Sequence, residues 1–175
     1  MTWMMSPPPE EIALEEAAHA VAMILCGLGS TIEFVTTKAH EGSWGMVKYR
    51  DPILRDGDLD SYHDPAARQR IDAFILAHLA GQYGRKLLSP QTWRGEDRST
   101  SDYEQVKLVL RHLFPQLQID DPIVVKFLTE MEARCEHMIG DYLKQVEALS
   151  IALLERETLN DDELMAVFKE DGALD

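Results

Sequence analysis

The chain has 175 residues, 45% of them hydrophobic and 27% charged, which suits one soluble globular domain over 1–175 with a core of its own. A net charge of −14 excludes nonspecific attraction to nucleic acid or to an anionic membrane surface. The longest apolar runs, near 17–26 and 73–80, are too short to span a bilayer, and MTWMMSPPPEE lacks the basic start and apolar run of a signal peptide.

In chain order, Ser6 and Pro7–Pro9 followed by Glu10 and Glu11 predict a helix start, with prolines at the first turn and acids at the positive end of the dipole. Good helix formers continue to Leu25, and Gly27 and Gly29 end the run. STIEFVTTK (30–38) is rich in β-branched residues and predicts a strand, and SWGMVKY (43–49) predicts a second, giving a small ribbon. The acidic stretch 51–64 predicts an exposed loop, and 66–88 a helix with a buried middle. After a polar loop (89–100), SDYEQVKLVLRHLF predicts a helix capped by Ser or Asp and stopped by Pro115. From Pro122 to Arg156, apolar residues recur every three or four positions, predicting one long helix whose stripe is core or a helix-pairing seam. Asn160 or Asp161 caps a last short helix through Phe168. The class is therefore mainly α with a small β ribbon. Cys26 and Cys135 lie far apart with no CxxC pair, and read as small buried residues of a reduced, cytoplasmic protein.

The stretch that carries chemistry is EEAAHAVA (15–22), one residue short of H-E-x-x-H. On a helix, Glu15 and His19 share a face one turn apart, and Glu16 is offset by about a quarter turn. His19 stands in an otherwise apolar run, so it is buried and needs a partner. Locally, a core histidine paired with a glutamate one turn earlier accounts for this as well as a metal does. Asp102, taken alone, reads as a plain helix cap.

Five segments in order bear on the choice. EEAAHAVA, STIEFVTT with GSWGMVKY, LAHLAGQYGRKLL, STSDYEQV and LLERETLNDDEL together resemble the peptidase domain of the FtsH-type metallopeptidases, across most of the chain. The resemblance implies a helical zinc-peptidase fold with His19 as a metal ligand, Glu16 as general base and Asp102 as third ligand. It also implies a peptide or protein substrate, and the family's members assemble as rings through both ATPase and peptidase domains, which a chain without the ATPase need not do. No G-x-x-x-x-G-K-[ST] occurs, so the chain has no ATP site, and the expectation is a freestanding domain, a homo-oligomer or a partner of a separate ATPase.

Two departures from the pattern matter. Glu15 stands where the family has a histidine ligand, and Arg85 where it has the glutamate of AG-x-A-AE. Ala18 replaces a glycine, which a helix tolerates. The implied ligand set becomes Glu15, His19 and Asp102, whose two carboxylates suit manganese or iron(II) better than they suit zinc, or leave the protein without metal. The expected function is a metallopeptidase-like domain with impaired or lost hydrolysis. The alternative is a non-catalytic peptide- or partner-binding protein on the same fold. His78, in an apolar run, reads as a core histidine or as a partner that orients a ligand. Trp44 beside Gly45 reads as lining a groove at the ribbon edge, or as packing the ribbon onto the helices.

Overall fold

The computed structural model describes residues 7–39, 43–93, 95 and 100–170. Among these residues six α-helices and three strands follow in the order α1 (Pro9–Leu25), β1 (Ile32–Thr36), β2 (Met46–Tyr49), α2 (Pro65–Leu88), α3 (Ser101–Leu113), α4 (Pro122–Asp141), α5 (Leu143–Arg156), β3 (Thr158–Asn160) and α6 (Asp161–Glu170). The chain is thus mainly helical with a small antiparallel sheet, as its periodicities predict. Among the described residues no helix is long and apolar enough to cross a membrane.

α1 is the central element because it has almost no polar face. Residues 16–23 are buried without a break, so the helix must be covered on most sides. α2 and α5 provide the largest covers, with α4 touching it as well. Gly27, at φ 77°, then turns the chain out of α1, a conformation that a side chain would resist. The core joins Val21 and Met23 of α1 to Ile71, Ile75, Leu79 and Tyr83 of α2 and to Val146, Leu149 and Leu153 of α5.

The sheet order is β2-β1-β3, one strand more than the ribbon expected. β3 escapes notice because it is only three residues long and abuts α6. It is held by position: Val35 pairs with Leu159, and the hydroxyls of Thr36 and Thr158 meet at 2.8 Å. The cap of α6 is Asn160, whose Oδ1 accepts from the Glu163 N–H while Glu163 Oε2 accepts from the Asn160 N–H, both at 3.0 Å.

Two expectations are corrected. The apolar stripe from 122 to 156 belongs to two helices, broken at Tyr142 (φ −121°, ψ 28°). There the Tyr142 N–H bonds to the Ile139 carbonyl, a tightened turn that follows the weak helix former Gly140. The break lets α4 lie on α2 while α5 lies on α1, and periodicity alone does not register it. The stretch 51–64 is not wholly exposed either. Asp58 is 4% exposed and takes both Arg70 Nε (2.8 Å) and Nη2 (2.5 Å), with the Arg55 N–H at 2.7 Å.

That pair gives a signed pH dependence. The Arg70 guanidinium, opposed by burial and helped by the Arg55 N–H, holds the Asp58 carboxyl down at about 2. A carboxyl lowered on folding stabilises fully above its unfolded value, near 4, and that contribution is lost as pH falls through about 2. The urea midpoint of the protein is therefore expected to drop across this window by more than that of Asp58→Asn. Equal slopes for the two proteins would refute the role of the pair.

Candidate metal centre

α1 carries Glu15, Glu16 and His19 on adjoining faces, and α3 brings Asp102 to them from more than eighty residues away in the chain. Glu15, His19 and Asp102 each offer one ligand atom, and these atoms all lie within 4.8 Å of one another. His19 Nε2 is 3.3 Å from Asp102 Oδ2. Asp102 is free for this because it is not the cap of its helix. Thr100 is the cap, its hydroxyl accepting from the Tyr103 N–H at 3.3 Å. The three candidate ligands named from the sequence thus converge.

The ring of His19 is set from behind. Nδ1 is 2.6 Å from the Ala77 carbonyl of α2, and since a carbonyl can only accept, Nδ1 carries the proton. Nε2 is left for the cleft, the arrangement by which metal-binding imidazoles are commonly oriented. Two glycines clear space around the site. A Cβ on Gly81 would lie 2.5 Å from His19 Nε2 and 2.7 Å from Glu15 Cγ, and one on Gly45 would lie 2.6 Å from Glu16 Oε1. An imidazole oriented by the Ala77 carbonyl and two carboxylates, with a glycine at position 81 that leaves room for the His19 and Glu15 side chains, together fit a divalent cation.

Glu15 and Arg85, the two positions at which the sequence departs from the pattern it resembles, meet in space. Arg85 Nε lies 3.4 Å from Glu15 Oε2, and Nη1 lies 4.0 Å from Glu11 Oε2. That Nε is buried and has no hydrogen-bond partner among the described residues, so the contact is a charge pairing without a well-formed bond. A protein cation therefore stands beside one of the three candidate ligands.

These residues line a cleft of about 650 Å³, within the range of ligand-binding cavities. β2, an outer strand of the sheet, forms one wall with Met46, Val47 and Tyr49. Trp44 lines this cleft and is 46% exposed, in keeping with the first of its two readings. His78 also lines the cleft but is not one of the converging ligands. Its Nδ1–H donates to the Phe74 carbonyl at 2.8 Å, and its ring lies against that of Phe74 at 4.1 Å. Burial lowers its pKa, so it stands neutral.

The acids and bases of the site are strongly coupled. Burial raises Glu16 to about 7, opposed by His19 and reinforced by Glu15 and Asp102. For His19, burial works against the charged form, but the Asp102 carboxylate, with Glu16 and Glu15, overrides it and raises the imidazolium to about 10, so Nε2 carries a proton toward Asp102 that a bound cation would have to displace. Asp102 moves the other way: burial pushes it up, and His19 pulls it below its usual range. Tyr49 is pushed upward by burial and by the negative charge of Glu16 and Asp102, so its hydroxyl keeps its proton.

Sequence reasoning finds the three candidate ligands and Glu16 but not the groups around them. The Ala77 carbonyl carries no side-chain signal at all. Gly45 and Gly81 do carry one, since a glycine inside a strand or helix pattern often marks a close approach. No protein-family model matches the chain, and no curated protein matches its sequence.

Proposed function

We propose that this is a metallopeptidase-like domain in which Glu15, His19 and Asp102 hold a divalent cation and the cleft takes an extended peptide along the outer edge of β2. Its hydrolysis is impaired, because a carboxylate paired with Arg85 stands where a histidine ligand is expected. The convergence of three donor atoms from two distant segments, within 4.8 Å, carries this reading. The bound cation supplies Lewis acidity toward a peptide carbonyl. Glu16, raised to about 7, accepts a proton from water near neutral pH, as a general base should. The Ala77 carbonyl keeps the imidazole of His19 in one tautomer and one orientation. Tyr49 offers a neutral O–H donor on the wall facing Glu16, and Trp44 offers an apolar face at the mouth.

The second reading, a non-catalytic peptide- or partner-binding domain, is favoured by one observation. Arg85 neutralises Glu15 without any metal. Equilibrium dialysis against Zn²⁺ and Mn²⁺, paired with cleavage of unfolded casein, separates the two. The proposed function expects about one equivalent of metal per chain, bound far more weakly though still measurably by Asp102→Asn. It also expects slow cleavage that Glu16→Gln lowers by about 100-fold or more. Metal uptake with no cleavage dependent on Glu16 selects the binding domain, and the absence of metal uptake sinks the centre itself.

A further inference from the structure

Glu15 and His19 need no outside help to stay in register, because one turn of α1 fixes their separation. Asp102 comes from a different helix. It sits in the first turn of α3, and its aim depends on how that turn is rotated against the bundle. Farther along, α3 is anchored by Val106, Val109 and Leu110, whose apolar contacts are non-directional.

The next residue supplies a directional contact. Tyr103 is 3% exposed, and its hydroxyl donates to Glu132 Oε1 of α4 at 2.7 Å. Glu132 is itself 7% exposed, a carboxylate facing inward from a helix packed on α2. The backbone of Tyr103 is held by the Thr100 cap, and the Lys107 ammonium lies 5.6 Å from the centre of its ring. Bringing a carboxylate and a phenol into an apolar interior costs desolvation that an apolar pair of the same shape would avoid, so packing alone gives no reason for the pair. What such a pair adds is a fixed direction at the residue adjoining Asp102.

We propose that the Tyr103–Glu132 hydrogen bond is the positioning device of the metal centre, fixing the rotation of the first turn of α3 so that Asp102 meets His19 and Glu15. The inference rests on the reading of Asp102 as a metal ligand. Tyr103 and Glu132 act through Asp102 and touch neither metal nor substrate.

The test measures Zn²⁺ and Mn²⁺ affinity by competition with a chelating dye, for the full chain and for Tyr103→Phe, Glu132→Gln, Asp102→Asn and the double variant Tyr103→Phe/Asp102→Asn. Circular dichroism and thermal melting confirm that each is folded. Tyr103→Phe, which removes only the hydroxyl, is expected to weaken binding about 10- to 100-fold, and Glu132→Gln, which keeps an acceptor, by less. In the Asp102→Asn background, Tyr103→Phe should change affinity by no more than about 2-fold, since a positioning residue has no effect once its ligand is gone. A Tyr103→Phe protein that binds like the original overturns the inference while leaving the centre intact. So does an equal loss in both backgrounds, which would mark general loosening of the fold. An original chain that binds neither metal overturns the reading of Asp102, and the inference falls with it.

Discussion

Glu15→His combined with Arg85→Glu will raise zinc affinity about 100-fold over the unsubstituted chain, well beyond the product of the two single effects. The reason is geometric. Arg85 Nε lies 3.4 Å from Glu15 Oε2, so the two positions form one electrostatic unit. Glu15→His alone supplies the softer nitrogen donor that zinc prefers but leaves the guanidinium beside it, repelling the cation. Arg85→Glu alone adds a carboxylate next to Glu11 and Glu15, an acidic group with no imidazole gained. Only the pair installs a histidine and removes the competing charge together. Dye competition with Zn²⁺ measures all four proteins, and the double variant should also cleave casein in a manner that Glu16→Gln abolishes. Strictly additive effects on affinity would show that Arg85 does not govern Glu15.

Two glycine substitutions in helices should move stability in opposite directions. Glycine to alanine inside a helix ordinarily stabilises by about 1 kcal/mol, since alanine is the better helix former. Gly140 follows that rule: nothing lies within 4 Å of the position its Cβ would take, and Gly140→Ala should raise stability by about 0.5–1 kcal/mol. At Gly84 a Cβ would lie 2.6 Å from the Ala18 Cβ and 3.2 Å from the Leu14 carbonyl oxygen. Neither neighbour has a side-chain torsion that could relieve the clash, so α1 and α2 would have to separate. Gly84→Ala should therefore cost about 1–3 kcal/mol as overpacking. Because α1 also holds Glu15 and His19 against α2, metal affinity should fall with it. Urea unfolding of both variants decides the matter, and a stabilised Gly84→Ala would mean that the two helices do not approach as closely as described.

The same contact shows how α2 accommodates Ala18. Ala18, read as a tolerable exchange for glycine, sits where α2 offers Gly84, so its methyl group has a place to go. Other parts of the site were not legible. Asp102 in STSDYEQV is ambiguous between cap and ligand until Thr100 is seen to take the cap, because capping is a local geometry that several neighbouring polar residues can satisfy. Arg85 was visible as a reversed charge, but its distance from Glu15 in the chain hides that the two touch. Tyr103 and Glu132 stand in different helices, α3 and α4. Neither predicts a buried bond to the other across 29 positions.

By itself the sequence determined what local chemistry controls: the helices and the two longer strands, the burial of α1, and the pairing of Glu15 with His19 one turn apart on a single face. These follow from periodicity and helix geometry, which act within a few residues. Only the tertiary structure decided the rest: the break at Tyr142, the third strand, the arrival of Asp102 at His19, the Ala77 carbonyl behind the ring, and Arg85 beside Glu15. Each of these joins groups separated along the chain or turns on how helices pack. Such contacts form where packing brings surfaces together, and no pattern confined to one segment encodes which partner it will meet.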